Sequence, residues 1–78
     1  MITRQQVRAA RQLLGWSQND LANEAGVLLS AIKAFERGAM DPRASMLEKI
    51  EEALIRGGVI FLDLGDIRSG GRGVRLKE

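Results

Sequence analysis

Apolar positions through the first three quarters of the chain recur at helical spacing, and beyond Gly58 the period shortens to that of strands. Val7, Ala10 and Leu14 stand at i, i+3 and i+7, one face of a helix predicted over about Arg4–Leu14. Thr3 suits its N-cap with Gln6 three residues on, and Ile2 and Val7 hold the staple positions. A second, shorter helix follows: Ser17 caps it, Asp20 favours its dipole, Trp16 and Leu21 staple it, and Leu21, Ala22 and Ala25 face inward before Gly26. A third is predicted over about Leu29–Arg37, with Val27 and Ile32 as staple and Ile32, Phe35 and Ala31 inward. Its N-cap falls on Leu28, which has no side-chain oxygen to accept an amide proton. A fourth is expected near Pro42 after an Asp41 cap, or from Ser45 with Glu48; Leu47, Ile50 and Leu54 form its inner stripe and Gly57-Gly58 ends it.

Glycine placement separates the two regimes. Gly15, Gly26 and Gly38 punctuate the helices, whereas Gly57, Gly58, Gly65, Gly70, Gly71 and Gly73 crowd the tail. Val59-Ile60-Phe61-Leu62 is a short apolar run and Val74-Arg75-Leu76 alternates, so a β-hairpin with a long DLGDIRSGGRG loop is expected. The alternative is a disordered stretch after Leu62. The fold expected is mainly α, a compact four-helix unit over 1–57 with a short C-terminal β-hairpin extension over 58–78.

Composition removes several functions. A chain of 78 residues makes one domain. Having no Cys and no His, it cannot form a zinc finger, use a thiol nucleophile or use an imidazole base, and no metal or other cofactor is expected. Glu36 and Glu48 are ordinary helical carboxylates, and GGRG is too weak a signal for a nucleotide site, so no enzyme is expected. The N-terminus lacks the apolar core of a secretory signal, and no stretch approaches the roughly 18 to 20 apolar residues of a membrane span. A cytoplasmic location without membrane contact follows as an expectation. A net charge of +2 permits DNA binding without pointing to it.

The pointer is the joint Ala25-Gly26-Val27. So tight a turn between two helices needs a residue at positive φ, which glycine adopts without a Cβ clash. Two short helices joined this way, with one helix before and one after, make a helix-turn-helix. In that geometry the second helix of the pair enters the major groove of DNA.

The stretch RAARQLLGWSQNDLANEAGVLLSAIKAFERG, followed by P-x-x-x-x-L-x-x-I, resembles the XRE/Cro and lambda-repressor-like DNA-binding domains over roughly residues 4–56. The closing GVIFLDLGDIRSGGRGVRLKE resembles the tail of short members. The resemblance implies a DNA-binding transcription regulator, expected to be a repressor, acting on double-stranded DNA. It implies that Gln18 contacts a phosphate or supports the recognition helix, that Leu28, Leu29, Ser30 and Ala34 reach base edges, and that Lys33, Arg37 and Arg43 meet phosphates. It also implies that Arg11 and Glu36 form a structural ion pair. No bidentate base reader is present at the tip of the third helix, where apolar residues can pack on thymine methyls. A homodimer is expected because one short helix reads few base pairs, with the fourth helix or the hairpin edge as the seam. A second function class stays open: a protein-interaction module or antitoxin-like partner that docks through Leu28 and Leu29. The tail cations Arg68, Arg72, Arg75 and Lys77 are read as a basic arm or as solvated charges.

Overall fold

The computed structural model describes residues 2–62 and 73–77. Four helices, α1 (Arg4–Leu14), α2 (Gln18–Ala25), α3 (Leu29–Glu36) and α4 (Ala44–Gly57), are followed by strands β1 (Val59–Leu62) and β2 (Gly73–Leu76). The strands pair antiparallel with Val59 opposite Leu76 and Leu62 opposite Gly73. The four-helix unit with a C-terminal hairpin is therefore as expected. The loop between the strands, with Arg68 and Arg72, lies outside the described residues.

Local chemistry accounts for the helix starts. Thr3 accepts from the Gln6 amide at 3.1 Å while the Gln6 side chain accepts from the Thr3 amide at 2.9 Å. Ser17 and Asp20 make the same reciprocal pair at 2.9 Å in both directions. Each box satisfies donors that the first helical turn leaves free. Between α2 and α3, Gly26 takes φ 70°, and no neighbour crowds the site where a Cβ would stand; glycine is needed there for its backbone, not for space.

Two boundaries differ from expectation. α3 ends at Glu36, with Arg37 as its cap. α4 begins at Ala44, after an extended Arg43 (φ −72°, ψ 153°), with no side-chain cap. Asp41 and Pro42 both stand outside the helix, so Asp41 is not its cap. Arg43 holds the cap position instead, and its carbonyl receives the first α4 bond, from the Leu47 amide at 3.1 Å.

The inner faces meet in one core. Val7, Leu21, Ile32, Ile50 and Leu54 are its largest fully enclosed side chains, each contributing roughly 1.5–3 kcal/mol by leaving water. Val59 extends this core into the hairpin, which packs on α1 and α4. At the far end of α4, Gly57 comes so close to α1 that a Cβ would lie 2.8 Å from Leu14 Cδ1 and 3.0 Å from the Trp16 ring. No helix among the described residues is long and apolar enough to cross a membrane.

The hairpin is also held by a polar clamp. Gln6 is buried, and its Nε2 donates to the Leu62 and Gly73 carbonyls at 3.0 Å each, one on either strand. One side chain thus closes the α1 capping box and ties both strands to α1.

Candidate nucleic-acid interface

α3 presents two opposite faces. Ile32 and Phe35 are buried, while Ser30, Lys33 and Arg37 stand at i, i+3 and i+7 and are all exposed, with half-buried Ala34 on the same side. Eight residues at 1.5 Å each make a helix about 12 Å long, close to the width of a B-DNA major groove.

A buried charge cluster fixes the orientation of α3. Arg11 Nε and Nη2 donate to the two Glu36 carboxylate oxygens at 2.8 Å each, a bidentate pair whose side chains are 14% and 3% exposed. Gln18 Nε2 donates to Glu36 Oε1 at 3.2 Å, and Arg8 donates to the Glu36 carbonyl. α1 and α2 together therefore hold the last turn of α3 by both its carboxylate and its backbone. The hydrogen bond with Glu36 raises the Arg11 guanidinium pKa above its ordinary range; burial opposes the rise, and the charge of Glu36 adds to it. Because this folded-state value is raised, its stabilisation is fully present below the ordinary arginine range and is lost only as strong alkali is reached.

The residues singled out from sequence separate in space. Ser30, Lys33, Arg37 and Arg43 are exposed. Gln18 is half-buried and spends its amide donor on Glu36. The adjacent leucines part company: Leu28 is 74% exposed, while Leu29 packs against the core. Of the two, only Leu28 presents most of its side chain outward.

Beside Leu28 a cavity of about 460 Å³ opens between the starts of α3 and α4, with Val27, Ala31, Met40 and Met46 as its apolar walls and Arg43 and Lys49 among its polar ones. Lys49 was not singled out from sequence. It lies on α4 within the expected motif, between Leu47 and Ile50, and it lines this cavity together with Arg43. Arg8 was missed as well, since a bond to a backbone carbonyl leaves no mark on the spacing of residue types. The outer face of α4 carries Glu48, Glu51 and Glu52, which would repel a phosphate backbone. Favourable charge lies with Lys33, Arg37, Arg43 and Lys49, all exposed.

The N-cap of α3 sacrifices stability. Leu28 is extended (φ −70°, ψ 140°), as a cap should be, yet no side chain caps the first turn. Leu28→Ser supplies the missing oxygen and is expected to raise stability by about 1 kcal/mol. Urea unfolding measures the gain, and a loss of stability would show that Leu28 supports the fold.

A family model described as helix-turn-helix matches residues 7–56, more than half of the chain. None of the curated proteins matches it.

Proposed function

The chain belongs to the helix-turn-helix family of XRE, Cro and lambda-repressor-like domains, and we propose that it is a transcriptional repressor that binds duplex DNA as a homodimer, with α3 in the major groove. The observation that carries this reading is the outward stripe of Ser30 and Lys33 on α3 and Arg37 at its cap, on a helix whose last turn is locked by the Arg11–Glu36 pair. A rigidly held helix gives up little conformational freedom on entering the groove, so more of the contact energy remains as affinity. Lys33, Arg37, Arg43 and Lys49 would meet phosphates, which position the domain, while Leu28 and Ser30 would meet base edges. Repression requires only that a site be occupied, and nothing further is asked of the domain.

Dimerisation follows from the size of α3, since a helix about 12 Å long spans few base pairs. Selection from random duplexes tests both points together. The expected product is an inverted repeat with half-site centres about one helical turn, roughly 34 Å, apart. Recovery of a single unrepeated half-site would remove the homodimer. A second reading, a protein-interaction module or antitoxin-like partner, draws on the exposed Leu28 and predicts binding that scarcely responds to salt.

A further inference from the structure

We infer that Leu28 reads the 5-methyl group of pyrimidines, so that the preferred DNA carries thymine, or 5-methylcytosine, where the start of α3 meets the groove; the inference rests on the DNA binding proposed above. At 74% exposure, Leu28 is the most exposed large apolar side chain among the described residues. It also occupies a position where serine, threonine, aspartate or asparagine would stabilise the helix. Leucine is thus unfavourable there on two counts, solvent exposure and missing cap, and a contact made only in a complex compensates for both.

The chemistry at the same tip narrows what that contact is. Leu29 is turned to the core, which leaves the Ser30 hydroxyl as the exposed polar group next to Leu28. In the major groove the four base pairs present hydrogen-bonding atoms and a single apolar feature, the methyl on C5 of thymine; cytosine has hydrogen at that position unless it is methylated. A leucine that cannot donate or accept a hydrogen bond discriminates by that methyl.

The surroundings of Leu28 suit such a contact. The apolar walls Val27, Ala31, Met40 and Met46 back it with a cavity of about 460 Å³, and methionine adapts readily to an irregular guest surface. Charge favours a nucleic acid over a protein as the occupant. Arg43 and Lys49 line the cavity against the one carboxylate of Asp41, and Lys33 and Arg37 continue the positive surface along α3.

Pools of random short duplexes are copied with thymidine or deoxyuridine triphosphate, and in a third pool 5-methylcytosine replaces cytosine in the uracil background. Wild type and Leu28→Ala are compared by anisotropy. Because Leu28 is so exposed, the alanine variant keeps its fold. Removing the thymine methyl preserves base pairing and is expected to weaken wild-type binding about fourfold, the equivalent of one buried methyl group. Leu28→Ala is expected to bind the thymine and uracil pools alike. Recovery in the third pool extends the reading to methylated cytosine, and its failure with thymine preference intact confines it to thymine. Equal, salt-sensitive wild-type binding to thymine and uracil pools overturns the inference and leaves DNA binding standing. So does a thymine preference that survives in Leu28→Ala. Absence of binding to every pool overturns the function on which the inference rests.

Discussion

Glu36→Ala is expected to destabilise the domain by about 3 kcal/mol, the largest effect of any single substitution considered. Removing one member of a buried ion pair leaves the other charge without compensation, typically at about 3–5 kcal/mol. Arg11 keeps 14% of its side chain in contact with solvent and retains its bond to the Trp16 carbonyl at 3.0 Å, so the low end applies. The Gln18 amide loses its partner as well. For a domain of this size the melting temperature should fall on the order of 15 °C. The double variant Arg11→Met/Glu36→Leu supplies the control. Replacing both charges by apolar groups removes the orphaned cation, so the pair should melt above Glu36→Ala. A double variant that melts below Glu36→Ala would show that the pair itself contributes net stability.

The second large effect is expected at Gln6. Gln6→Ala removes the bonds from Nε2 to the Leu62 and Gly73 carbonyls and opens the α1 capping box, at a cost of about 2 kcal/mol. Gln6→Glu should cost more, because a carboxylate oxygen replaces the donor facing two carbonyls. The distinctive consequence is local. Amide exchange in Val59–Leu62 should accelerate more than exchange in α2 and α3, because the clamp joins the hairpin to α1. Uniform acceleration throughout the domain would show that Gln6 acts only through global stability.

These two residues mark where sequence is informative and where it is not. The Gln6 capping box is legible, because Thr3 and Gln6 are three residues apart and the chemistry is local. Its bonds to residues 62 and 73 join chain positions with no periodic relation, and no spacing rule anticipates them. The helices from Arg4 to Glu36 are legible to within a residue, because capping boxes and glycine agree around α1 and α2, and staple and period place α3 without a side-chain cap. The start of α4 is not: Asp41-Pro42 and Ser45 with Glu48 both suit a start, and the helix begins between them at Ala44. At the interface, the exposed stripe on α3 follows from its period. The divergence of Leu28 and Leu29 does not, because it depends on how far the turn at Gly26 rotates α3 against the core. That Arg43 and Lys49 face one cavity with Leu28 depends on how the start of α4 sets against the start of α3.

The outward face of α3 is expected to bind DNA through its cations. Fluorescence anisotropy on a pool of short duplexes tests it most directly, across a range of salt concentrations, with wild type beside Lys33→Ala/Arg37→Ala. Both replaced side chains are exposed, so the variant keeps its fold. Wild-type affinity should fall linearly on a log–log plot against salt, and the loss of two phosphate contacts should weaken binding and make the slope shallower by about 1.8. Absence of binding at low salt, or a variant with wild-type affinity and slope, would contradict the placement of α3 on DNA.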